Sequence, residues 1–278
     1  WIHRLLAKQP GARFQRAEDA HAALIRSDGS SPPRRVPSTW RQDADQGAAP
    51  VRLRGVGLGL VGVRPVPLIG REAEQSALWF AFHAVATEGT TRAAILRGTP
   101  GMGRTRLARW LGEEAWRAGA DVLASSFVDE ESADPIRRML AKSLRVRRLR
   151  GSDLSVRLRE RLQPHGDDPW LEQALLGLLA PEDLDDETVP VASRTERWTV
   201  LRTWIQHLSR SRPVVLVLDD VDTSLEATQL FEWLIEGAEA MPLFVVATVS
   251  DARRTQHVDA WEKLYLLAQR DEVSVLPL

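Results

Sequence analysis

The chain has 278 residues, 44% of them hydrophobic, which excludes a fibrous or low-complexity class and leaves room for one large core or two smaller ones. Its 37 lysines and arginines against 38 aspartates and glutamates give a formal net charge of -1, so no global field draws it to nucleic acid or an anionic membrane. Without cysteine it has no disulfide, thiolate metal site or cysteine nucleophile, in accord with a cytoplasmic location.

Trp1, Ile2, Leu5 and Leu6 fall at helical spacing, so the chain opens inside a helix and reads as a piece of something longer. Residues 1–28 predict two short helices separated at Pro10-Gly11, the second with an apolar face of Ala17, Ala20, Ala23 and Leu24. From 29 to 66 the texture is Gly, Pro, Ser and Arg, with Pro32-Pro33, Pro37, Pro50 and Pro65, which is linker composition. The apolar run Val56 to Val63 lies between Arg54 and Arg64 and falls well short of the roughly 20 residues that cross a bilayer. A second domain is expected over 67–278, introduced by Leu68-Ile69-Gly70-Arg71-Glu72 and a helix to about His83.

Apolar runs and amphipathic patterns then alternate. Strands are predicted near 93–97, 121–127, 214–219 and 243–249, with a last apolar run from Val273 to Leu276. Helices are predicted over 104–117, within 134–210, and over 224–238 and 256–269. This order implies an α/β domain, its parallel sheet covered by helices on both faces. The arginine-rich run from Arg137 to Arg161 lacks interleaved aromatics and is followed by acids, so it reads as a solvated helical face. Trp79, Trp110, Trp198, Trp204, Trp233 and Trp261 fall in helical patterns and read as packing residues. The six histidines show no metal-ligand spacing.

Between the run Ala93-Ala94-Ile95-Leu96 and the helical pattern from Leu107 lies Gly98-Thr99-Pro100-Gly101-Met102-Gly103-Arg104-Thr105, a phosphate-binding loop with arginine where lysine is expected. Gly98, Gly101 and Gly103 are expected at positive φ, turning N–H groups inward at a helix N-terminus where phosphate binds. Pro213 to Asp220 supplies the second half. Asp219, ending a buried strand, is placed to bind Mg²⁺ beside the Thr105 hydroxyl, and Asp220 to orient or deprotonate attacking water. Thr248 either senses the γ-phosphate or positions water, or is simply a β-branched strand residue. Arg104 is longer and forked compared with lysine, so phosphate affinity is expected to survive better than hydrolysis. The alternative is that it turns outward into a salt bridge.

From 67 onward the chain resembles the AAA-like ATPase module of STAND signalling proteins, a P-loop NTPase fold. Pro67-Leu68-Ile69-Gly70-Arg71-Glu72-Ala73-Glu74 is similar to that family's opening motif beside the adenine and ribose, Gly98 to Thr105 to Walker A, and Asp219-Asp220 with Asp222, Ser224 and Leu225 to Walker B. The resemblance implies ATP with Mg²⁺: Gly98, Gly101, Gly103, Arg104, Thr105, Arg106, Gly70, Arg71 and Thr248 around the nucleotide, Thr105 and Asp219 on the metal, and Asp220 in catalysis. It also implies that the strand bearing Thr248 lies between the two motif strands, and that a lid and helical repeats follow the module. Ser250 stands where an arginine is usual, a second departure after Arg104. Leu5-Leu6-Ala7-Lys8-Gln9-Pro10-Gly11-Ala12-Arg13-Phe14 with Ala17-Glu18-Asp19-Ala20 is similar to the C-terminal end of a serine/threonine protein kinase domain, without its catalytic residues. The combined expectation is an ATP-dependent switch attached to such a kinase, with protein partners or self-association and weak or no hydrolysis. The alternatives are a pseudo-ATPase scaffold offering its 134–210 helices, or an origin-recognition-type DNA-binding protein.

Overall fold

The computed structural model describes residues 68–278 apart from 128–133, 167, 182–190, 192 and 237–240, together with 2–8, 12–14, 20 and 23. The linker expected over 29–66 lies outside the described residues; in the N-terminal stretch α1 (Ile2–Leu5) is assigned, and Ala20 and Ala23, on the expected second helix, are helical.

Five strands form the sheet: β1 (Thr91–Gly98), β2 (Asp121–Ser126), β3 (Val214–Asp219), β4 (Leu243–Ser250) and β5 (Val273–Pro277). Their spatial order is β2-β3-β4-β1-β5, and every pairing is parallel. Helices α2 (Glu72–Glu88) and α3 (Arg104–Arg117) flank β1 in the chain. Four more, α4 (Pro135–Ser143), α5 (Gly151–Leu162), α6 (Pro169–Leu179) and α7 (Arg194–Ser209), fill the connection from β2 to β3. Helix α8 (Leu225–Glu236) follows β3, and α9 (Val258–Leu267) follows β4.

Central strands β3 and β4 are apolar without alternation because both faces are covered. Ala94, Leu96, Val215, Val217, Phe244 and Val246 pack on α2 and α3, while their alternate neighbours join a larger core with α4 to α9. Trp79, Trp198 and Trp204 are buried, and Trp110, Trp233 and Trp261 are partly buried against these cores, as their spacing predicts. Helix starts follow local chemistry. Asp134 caps α4 ahead of Pro135, Asp168 caps α6 ahead of Pro169, and Ser193 with Glu196 forms a capping box on α7.

Two features differ from the sequence reading. Helix α2 runs past His83 to Glu88, where Gly89 at φ 71° ends it and donates its N–H to the Val85 carbonyl. The arginine run is not only a solvated face. Arg137 donates two hydrogen bonds to the Leu179 carbonyl, Arg157 and Arg159 pair with Glu160 and Glu172, and burial, with Arg157 and Arg145 nearby, lowers the Arg161 pKa to about 10. Arg137 thereby ties α4 to the end of α6, and Arg159 ties α5 to α6.

Candidate functional site

In the chain order the connection from β1 skips to the far edge at β2 and returns through β3 to β4, which lies beside β1. The carboxyl ends of β1, β3 and β4 therefore meet at the point where an α/β sheet holds its ligand. Gly98 closes β1, and Gly103 precedes α3 as its N-cap. Gly101 and Gly103 have φ of 85° and 89°, and a Cβ on either would meet nothing within 4 Å, so the curled backbone is open in front. Gly98 corrects the sequence reading because it is not at positive φ. A Cβ there would stand 3.0 Å from the Leu278 carbonyl oxygen, so its need for glycine comes from the close passage of the chain beyond β5.

The opening motif reaches the same loop. Arg71 donates from Nη2 to the Met102 carbonyl at 3.2 Å and from Nη1 to Glu74 at 2.7 Å, and the Arg71 hydrogen bond lowers the Glu74 pKa. Gly70 takes φ 74° and donates its N–H to Glu72.

Arg104 is the first residue of α3, and its Nη1 is buried with no hydrogen-bond acceptor. Among the described residues it forms no ion pair, so the outward salt bridge finds no support. Arg104 therefore keeps an unused donor at the helix N-terminus, the kind of place where anions bind. Arg106, in the first turn of α3, is exposed.

The paired acids sit behind the loop. The β3–β4 register sets Leu218 opposite Ala247, which puts Asp219 beside Thr248. The Thr105 hydroxyl donates to Asp219 Oδ1 at 3.0 Å, and the Thr248 hydroxyl donates to the same oxygen at 2.6 Å. Thr248 Oγ1 also accepts the Asp220 N–H at 2.8 Å. That bond steadies Asp220 in the left-handed conformation, φ 57° and ψ 49°, which aspartate tolerates better than most residues. The sequence placed Thr248 beside Asp219 on the condition of a strand order, and the sheet has that order.

One participant, Arg253, escaped the sequence reading, and Asp222 entered it only as part of the Walker B resemblance. Ser250 does end β4 where an arginine was sought, but the 3₁₀ turn after it carries Arg253 back to the acids. Arg253 Nη1 lies 2.8 Å from Asp220 Oδ1 and 3.6 Å from Asp222 Oδ1. Asp222 is fully buried, and desolvation is the main cause of its raised pKa. Burial works against the Arg253 charge, but Asp220 and then Asp222 outweigh it and raise its pKa. The available signal was the Arg253-Arg254 pair just past the strand; the turn that brings it back was not visible.

The AAA ATPase domain family matches residues 67–246, which span the opening motif, the loop, the paired acids and the first half of β4. The chain belongs to the AAA ATPase domain family. Its parallel sheet with flanking helices is the P-loop NTPase fold of that family, and membership carries nucleotide binding, typically with Mg²⁺. Among solved structures, the chain is similar to one from a study of katanin self-assembly at 16% identity and TM-score 0.34, covering 76% of this chain and 52% of that one. It is also similar to a Drosophila ORC chain bound to DNA, at 13% identity and TM-score 0.38, covering 74% of this chain and 91% of that one. A third is from Drosophila ORC with GC-rich DNA and Cdc6, at 13% identity and TM-score 0.36, covering 77% and 62%. The chain thus spans about half the length of the katanin chain. No curated protein matches it.

The residues present fit the group that membership implies. Thr105 and Asp219 offer adjacent hard oxygen donors of the kind Mg²⁺ takes, the loop is open, and Arg104 holds an unused donor. Among the described residues there is no group of three or more His, Cys, Asp or Glu side chains that could hold a metal ion, and no helix is long and apolar enough to cross a membrane.

Proposed function

We propose that the 67–278 module binds Mg·ATP at the Gly98–Arg106 loop and serves as a nucleotide-dependent conformational switch with weak or no hydrolysis. The observation that carries this reading is the acceptor-free Arg104 Nη1 behind a loop whose glycines leave the phosphate position open. The loop N–H groups and Arg104 receive phosphate oxygens, while Gly70 and Arg71 hold the opening motif against the loop on the nucleoside side. Mg²⁺, when bound, neutralises phosphate charge. Thr105 and Asp219 would hold it, and Thr248 orients the Asp219 carboxylate through the 2.6 Å hydrogen bond. Asp220 is the residue to take the proton of an attacking water, but in this state its carboxylate is clasped by Arg253. That clasp and the displaced charge of Arg104 both favour binding over turnover.

The STAND-like assignment extends this proposal to a signalling role with protein partners or self-association. The N-terminal stretch is proposed as the end of a serine/threonine kinase domain joined by the 29–66 linker. Its support is the motif from Leu5 to Phe14, within which Arg13 Nε donates to the Ala7 carbonyl at 2.7 Å.

The test is thermal unfolding of the full chain with Mg·ATP, with Mg·ADP and without nucleotide, because a ligand of the native state raises Tm. The expected result is a saturable rise that Asp219→Ala and Arg104→Ala both diminish. No rise in the wild type, with one gained in Arg104→Lys, refutes the switch and leaves an interaction scaffold.

A further inference from the structure

On the sheet face opposite α3, helix α9 stands off β1 and β5 and leaves a cavity of about 500 Å³. Ile95, Val249 and Val275 of three adjacent strands line it, together with the rings of Trp261 and Tyr265 on α9. A volume of this size, mainly apolar with a few polar groups at its edge, is what a small organic molecule needs. Tyr265 is 67% exposed and Val258, another lining residue, 61%, so apolar surface at the cavity is left open to water.

The charges on its wall are what narrow the ligand. Arg97 is neutralised by Asp251 at 2.5 Å. Arg254 and Glu262 line the cavity too, and among the described residues neither forms an ion pair with the other or with any third group. The Arg254 guanidinium lies 6.0 Å from the centre of the Trp261 ring. One cation and one anion, both exposed and neither ion-paired, at the rim of an apolar, aromatic-walled space complement a molecule that carries a carboxylate, an ammonium group and an apolar body.

The geometry points to this cavity as a binding site for an apolar α-amino acid, its carboxylate on Arg254, its ammonium on Glu262 and its side chain among Trp261, Tyr265 and the strand residues. The site is separate from the nucleotide site yet adjoins it, since Arg97 precedes Gly98 and Arg254 follows Arg253. It requires no nucleotide and stands whether or not the preceding proposal does.

The experiment is isothermal titration of the nucleotide-free full chain with L-phenylalanine and L-tryptophan, beside phenethylamine and 3-phenylpropionate, which lack the carboxylate and the ammonium respectively. The expected result is saturable binding of at least one amino acid with Kd below about 1 mM, and at least about tenfold weaker binding of both truncated compounds. Arg254→Gln and Glu262→Gln, both at exposed positions, should each weaken the amino acid by a similar factor, and Val275→Trp should abolish binding by filling the cavity. No saturation up to about 10 mM, equal affinity for the truncated compounds, or binding indifferent to all three substitutions overturns the proposal. So does concentration-dependent self-association that Val275→Trp abolishes, which would make the face an interface between copies of the chain.

Discussion

Thr248→Val tests the core of the site most directly, because it removes one hydroxyl and keeps the shape of a fully buried side chain. That hydroxyl donates to the Asp219 carboxylate at 2.6 Å and accepts the Asp220 N–H at 2.8 Å. A bond to a charged acceptor contributes about 1.5–3 kcal/mol, and a buried donor deprived of its acceptor costs about 1–3 kcal/mol. Thr105 still donates to Asp219, which offsets part of the first loss, so the net destabilisation is expected near 2–4 kcal/mol. For a domain of this size each kcal/mol lowers Tm by roughly 2–4 °C, so the expected drop is about 4–16 °C. The assay is calorimetric or circular-dichroism melting of the full chain at neutral pH, with Thr248→Ser restoring most of the loss. A valine variant that melts within about 2 °C of the wild type would mean that the hydroxyl does not bridge the two acids, and the positioning argument fails.

Arg253→Ala should destabilise the fold by about 3 kcal/mol by leaving buried Asp222 without its cation, and adding Asp222→Asn should recover much of that loss in denaturant melts. His165 has its pKa lowered, first by burial and then by neighbouring His207, so its neutral form favours the fold. Its contribution is complete above the ordinary histidine pKa and is lost as pH falls through the lowered value; His165→Phe, retaining the edge contact with Trp204, should flatten that limb of a stability-pH curve measured from 8 to 5. Gly98→Ala should lower Tm in thermal melts by forcing a Cβ to within 3.0 Å of the Leu278 carbonyl oxygen.

The elements, their order and the phosphate loop were legible because each rests on contacts within a few residues. Ala93 to Leu96 announced a buried strand, the glycines an anion loop and Leu107 onward a helix, and Gly89 in hindsight marks the stop of α2. Asp219 was legible as the end of an apolar run. What stayed hidden depends on residues distant in sequence. Arg253 meets Asp220 only because a 3₁₀ turn after β4 folds back toward the end of β3, and no periodicity encodes that turn. Gly98 looked like a residue chosen for positive φ, yet its constraint comes from Leu278 at the other end of the module.

By itself, then, the sequence determined that this chain builds a parallel α/β sheet with a phosphate loop on one strand and an acidic pair on another, since hydrophobic period and turn chemistry are local properties. The family resemblance implied that β4 lies between those two strands, but only the tertiary structure decided that Thr248 bridges both acids there and that Arg104 keeps an unclaimed donor. Strand neighbours are chosen by which apolar faces bury best together, and that choice is made by the whole core at once.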